Sequence, residues 1–130
     1  MINKTGAFTM NEIIQIQGNV KYQIHVDPSL WIFDDRRFEM SERFPGVDGL
    51  GMEFGPFLKN AEPAEDATKL VIHQRGGGRV ILPLEQVYTS VLQFARAGKP
   101  IRPDGPALLY LADGSNRNRP VDSIEKMEVV

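Results

Sequence analysis

Residues 83–99, PLEQVYTSVLQFARAGK, decide how the rest of the chain is assembled. Leu84, Val87, Tyr88, Val91, Leu92 and Ala95 fall at i, i+3, i+4, i+7, i+8 and i+11, the spacing of one apolar helical face. Pro83 suits a first helical turn, Gly98 suits the position just past the last, and Pro100 blocks continuation. The spacing predicts one principal helix over about 84–97. Its apolar face (Leu84, Val87, Val91, Leu92, Ala95) is expected to pack on Leu109, Leu111, Tyr22 and Ile24.

Outward from this segment the periodicity changes to two. Leu70–His73 and Arg79–Leu82 read as strands joined across QRGGG (74–78). On the other side, Gly105-Pro106 opens Ala107–Ala112, an unbroken apolar run expected to be a central strand covered on both faces. DGSN (113–116) is a turn cluster, and 121–130 reads as a terminal strand. Near the start, Ile14 and Ile16 alternate with Gln15 and Gln17, and Val20, Tyr22, Ile24 and Val26 alternate with polar partners. Gly18-Asn19 between them predicts a tight hairpin, because glycine accepts the positive φ of primed turns. Asp27-Pro28 closes the second strand, and Leu30–Phe33 reads as extended, with Trp31 and Phe33 on one face. The segment 34–63 carries Gly46, Gly49, Gly51 and Gly55 with Pro45, Pro56 and Pro63, and reads as loop with short helical turns. The expected fold class is α+β, a mostly antiparallel sheet with one principal helix on it. Residues 1–11 read as a loosely held tail and 12–130 as a single globular domain.

Composition narrows function mainly by exclusion. The 130 residues are 42% hydrophobic and 25% charged, the profile of an ordinary globular chain. The absence of cysteine removes disulfides, thiolate metal sites and cysteine nucleophiles. A formal charge of −2 argues against nucleic acid as a partner, and no apolar run approaches the ~18 residues of a membrane span. With no signal-like apolar stretch at the start, a cytoplasmic protein without membrane partners is expected.

Constellations that carry chemistry are sparse. His25 and His73 lie in separate strands without carboxylates at ligand spacing, so no metal site is expected. No serine stands in a nucleophile elbow. Gly76–Gly78 between Arg75 and Arg79 separates two strands, which is not the strand-to-helix context of a phosphate loop. Asp34-Asp35-Arg36-Arg37 reads either as a carboxylate pair, with the arginines as neutralising partners, or as a helix start capped by Asp34 or Asp35 with charges in its first turn. DGSNRNR (113–119) offers turn amides with Arg117 and Arg119, the right chemistry for a small anion, or else a turn that caps itself.

The segments WIFDDR (31–36), GPFLKNAEPAEDAT (55–68), LPLEQVY (82–88) and GKPIRPDGPALLYLADGSNRNRP (98–120) together resemble a family of small cytoplasmic proteins of Bacillus-like Firmicutes, often labelled peptidyl-prolyl cis-trans isomerase. The resemblance runs from about residue 12 to the end and implies isomerase activity, with no catalytic residue to carry over. Such an enzyme needs no metal or other cofactor, only a dry apolar cleft and a donor to the imide nitrogen. Trp31, Phe33, Phe54 and Phe57 are the aromatics for that cleft, with Arg36 or Arg37 as donor. A second resemblance, confined to the last third, is to the end of the molybdopterin-binding domain of sulfite-oxidase-type enzymes. It implies a related β-rich fold without the cofactor, since that family's metal-ligating cysteine has no counterpart. The leading expectation is a non-catalytic module binding a peptide or a small anion, through those aromatics or through Gly114, Ser115, Asn116, Arg117 and Arg119. Peptidyl-prolyl isomerase is the alternative.

Overall fold

The computed structural model describes residues 13–130, so the expected tail over 1–11 lies outside the described residues. The chain forms two sheets that share one apolar cluster. In the first, β1 (Ile14–Gly18), β2 (Ile24–Val26), β5 (Lys69–Gln74), β6 (Arg79–Pro83) and β10 (Ile124–Val129) stand in the order β2-β1-β10-β5-β6. In the second, β3 (Phe38–Glu39), β4 (Leu50–Glu53), β7 (Val91–Arg96) and β8 (Lys99–Pro100) follow in order, and β9 (Leu108–Tyr110) also pairs with β7. Every pairing of these strands is antiparallel except β1 with β10.

The principal helix over 84–97 is not there. Only Leu84–Val87 is helical (α2), and residues 91–96 are the strand β7. Thr89 and Ser90 mark the change. Ser90 donates both its amide and its hydroxyl to the Val87 carbonyl, and the Thr89 hydroxyl donates to that of Gln86. These local bonds satisfy the carbonyls that a continuing helix would have used. Beyond them β7 is covered on both faces. Leu92 and Phe94 enter the cluster between the sheets, whereas Val91 packs with Met40, Phe44, Ile101, Leu108 and Tyr110 on the far side. Gln93 is fully buried, donating to the Asp48 carbonyl and accepting from the Tyr110 hydroxyl. A run buried on both faces has no polar alternation, and that is why helical spacing could be read into it. The residues expected in the core (Leu84, Val87, Val91, Leu92, Ala95, Leu109, Leu111) are buried all the same, while Tyr22 is exposed.

Two further corrections matter. Gly18-Asn19 is not a two-residue turn: Ile16 pairs with Ile24 and Ile14 with Val26, so residues 17–23 form the connection. Gly18 instead continues alongside Val129, where a Cβ would meet the Val129 backbone. Leu30–Phe33 is not extended; Pro28–Phe33 is a 3₁₀ helix. The segment 34–63 holds short elements, β3, β4 and α1 (Gly55–Asn60), fastened by Phe54, Leu58 and Met52 at full burial or close to it. Among the described residues no helix is long and apolar enough to cross a membrane.

Candidate functional site

The 3₁₀ helix Pro28–Phe33 is built from its first three residues. Asp27 stands before it and accepts from the Ser29 amide at 3.0 Å and from the Ser29 hydroxyl at 2.6 Å. Pro28 fixes φ at the first helical position, where no amide is needed. Three residues per turn place i and i+3 in one row. The sequence PSLWIF is thereby sorted into three rows. Pro28 and Trp31 are buried; Ser29 and Ile32 line a pocket; Leu30 and Phe33 face solvent at 61% and 83% exposure.

The buried row rests on an aromatic stack. Trp31 meets Phe94 of β7 edge-on with centroids 5.6 Å apart, and Phe57 of α1 at 5.1 Å on another side. The Arg36 guanidinium lies over the Phe57 ring at 5.2 Å. That guanidinium is also forked onto Asp34, with Nε to Oδ1 at 3.0 Å and NH2 to Oδ2 at 2.8 Å. Its hydrogen bonds hold the Asp34 carboxyl down at about 2, well below the ordinary 3.8. Asp34 caps a turn here; it is neither a helix start nor half of a carboxylate pair. Arg37 donates to the Asp34 carbonyl.

The pocket encloses about 170 Å³. It is lined by Pro28, Ser29 and Ile32 of the 3₁₀ helix, by Phe94 and Ala95 of β7, by Gly98, Lys99 and Pro100 of the turn and strand that follow, and by Pro106. The lining residues of β7 and β8 belong to a hairpin in which Ala95 pairs with Pro100 and Arg96 with Lys99. Ala97 and Gly98 make its turn with φ of 54° and 75°, both positive as a primed hairpin requires. The volume matches an apolar cavity of ~150 Å³ that holds a benzene-sized group.

Of the aromatics singled out in the sequence, the fold brings Trp31 and Phe57 together with Arg36. Phe54 is fully buried in the core, and Phe33 stands outward on the exposed row. Sequence reasoning missed Pro28, Ser29, Ile32, Phe94, Lys99, Pro100 and Pro106. A signal exists for the first three: Asp-Pro-Ser is not only a strand end but also a cap followed by a proline at the first helical position.

The loop after β9 consumes its own polar groups. Ser115 donates its amide to the Asp113 carboxylate, which holds that carboxyl below its ordinary range. Asn116 accepts from the Leu111 amide at 2.9 Å and donates to the Leu109 carbonyl at 3.0 Å. Arg117 donates to the Pro45 carbonyl. Gly114 takes the positive φ of 75° that the turn needs. Arg119 is exposed. The hollow beside this loop is walled by Glu85 and Asp113, two carboxylates that repel an anion.

No protein-family model and no curated protein matches the sequence. The isomerase label thus has no match of either kind behind it. Among the solved structures, 11 chains match. One belongs to the sulfane dehydrogenase SoxCD from Paracoccus pantotrophus, 14% identical with a TM-score of 0.66. The match covers 95% of this chain and 39% of that one, so this chain spans about two-fifths of its length. A molybdopterin site of the sulfite-oxidase type would call for a metal-ligating cysteine, and this chain has none. Among the described residues, no three His, Cys, Asp or Glu side chains are grouped to hold a metal ion. The likeness is one of fold, and it fits the β-rich architecture implied by the resemblance of the last third to sulfite-oxidase-type domains.

Proposed function

We propose that this chain is a non-catalytic binding module that takes a peptide segment, seating one large apolar side chain between the 3₁₀ helix and the β7–β8 hairpin. One observation carries the reading. The three-row sorting of Pro28–Phe33 leaves Leu30 and Phe33 in water beside an apolar pocket of about 170 Å³. Large apolar side chains held outward as a group mark sites where something else is meant to cover them. A pocket for one anchor side chain, ringed by flatter apolar contacts, is how interfaces concentrate their affinity. The pocket wall is rigid because Trp31 is clamped between Phe94 and Phe57, so little ordering opposes binding.

Isomerase is the weaker reading because its donors are engaged: Arg36 is forked onto Asp34 and Arg37 is bonded to the Asp34 carbonyl. Amide NMR with the peptide Ac-Ala-Gln-Phe-Gln-Ala-NH2 tests the proposal. Saturable shifts are expected at Ile32, Phe94, Ala95 and Gly98, and their loss in Ile32→Asp. No saturable shift at ~10 mM peptide, far weaker than the millimolar Kd of a marginal contact, overturns the reading. Accelerated cis–trans exchange of a prolyl tetrapeptide would replace it with the isomerase.

A further inference from the structure

Resting on that peptide-binding reading, we infer that the preferred occupant carries acidic residues on either side of its apolar anchor. The cations at the pocket's rim carry the argument. Residues 94–103, FARAGKPIRP, contain Arg96, Lys99 and Arg102 and no acidic residue. The hairpin turn at Ala97-Gly98 holds Arg96 and Lys99 opposite one another in register, both exposed, with Lys99 in the pocket wall itself. Neither of these two has a carboxylate within ion-pair distance among the described residues. The Arg75 guanidinium reaches the far end of the same segment, donating to the Pro103 carbonyl.

The acids nearby do not cancel this charge. Asp34 is neutralised by the Arg36 fork, and Asp27, which keeps its charge, stands before Pro28 on the helix side of the pocket rather than on the hairpin, with one oxygen held by the Ser29 amide and hydroxyl. Asp104, exposed just past the segment, is the one acid that follows it directly. An apolar pocket with Lys99 in its lining and Arg96 across the hairpin from it discriminates by charge at its edge and by shape at its centre. A peptide with carboxylates flanking a phenylalanine or leucine meets both. A basic one places like charges together as its side chain enters.

The experiment compares three peptides, Ac-Ala-Glu-Phe-Glu-Ala-NH2, its Gln-Phe-Gln analogue and its Lys-Phe-Lys analogue, with phenylacetate as a fourth probe. The acidic peptide is expected to bind about three- to tenfold tighter than the neutral one, the product of two exposed ion pairs. The preference should vanish in about 1 M salt, where charges are screened beyond ~3 Å. Arg96→Glu/Lys99→Glu should reverse it, so that the lysine peptide binds best. Equal affinities for all three peptides at the same amides would overturn the charge inference and leave the pocket reading standing. Binding of none of them overturns both. Phenylacetate binding as tightly as the acidic peptide would overturn the peptide assignment in favour of a small apolar acid.

Discussion

The loop 113–119 and the 3₁₀ helix 28–33 make opposite use of their residues. In the loop, most of the groups that could receive a ligand are already engaged, Ser115 on Asp113, Asn116 on the backbone of Leu109 and Leu111, and Arg117 on Pro45, which leaves Arg119 exposed. The 3₁₀ helix satisfies its polar atoms at its start, through Asp27, and then holds Leu30 and Phe33 in solvent and Ile32 at the edge of the pocket. Residue types alone favour the loop as a binding site, since it has arginines, amides and a glycine turn. Partner accounting favours the helix. A donor is available only if the fold has not used it, and exposed apolar surface is the quantity the fold leaves unresolved.

The strand β7 underlies both regions, so the largest expected effect is there. Its first half pairs with β9, which leads into the loop; its second half floors the pocket. Val91 is 1% exposed, pairs with Tyr110 across the strands, and shares the outer cluster with Met40 and Phe44. Val91→Asp would bury an unpaired carboxylate there and should cost about 4 kcal/mol or more, enough to unfold a marginal chain. A urea midpoint equal to that of the parent chain would show that β7 is not the shared platform.

The next test separates the regions by stability. Asn116→Ala leaves the Leu111 amide without its partner and the Leu109 carbonyl with the Val121 amide alone, and should cost about 1–3 kcal/mol in urea unfolding. Phe33→Ser removes a ring that is 83% exposed and should change stability by less than about 0.5 kcal/mol, while weakening peptide binding severalfold. If Phe33→Ser were the more destabilising of the two, Phe33 would belong to the fold and the contrast would fail.

These regions were unequally legible in the sequence. The β5–β6 pair was read from Leu70–His73 and Arg79–Leu82 because one glycine-rich turn separates two short apolar runs, and it stands as β-structure. The segment 34–63 was opaque because β3 spans only two residues and α1 only six, too few for any period to repeat. Val91–Ala95 was misread because a strand buried on both faces looks like a buried helix. Trp31 and Phe33 were placed on one face by period two, whereas a period of three puts them in different rows. The pocket was invisible for another reason. Its walls come from residues 28–32, 94–100 and 106, and only the pairing of β7 with β8 and the seating of Trp31 bring them together.

The smallest effect sharpens the comparison at its charged ends, because each region closes its turn on an aspartate held by a different kind of donor. Asp34 is held chiefly by the Arg36 side chain, a contact whose groups are 24% and 58% exposed. Asp113 is held chiefly by the Ser115 main-chain amide. Both carboxyls lie below their ordinary range in the folded chain, so each supports folding above that range and ceases to do so as the pH falls through its folded value. For Asp34 this support is lost as the pH falls from about 3.8 to about 2, and the folded carboxyl's own midpoint, about 2, is read at its carboxyl carbon in an NMR titration. Arg36→Gln should return the midpoint toward 3.8 and free the Phe57 ring from its covering guanidinium. Ser115→Ala should leave part of the Asp113 shift in place, because the main-chain amide, its largest cause, remains when the hydroxyl's hydrogen bond is lost. Salt should raise the Asp34 midpoint more than that of Asp113, since an exposed ion pair is screened and a short amide bond is not. If both midpoints moved equally with salt, the two turns would be held by the same kind of force. The 3₁₀ helix would then lose the feature that sets its charged end apart from the loop.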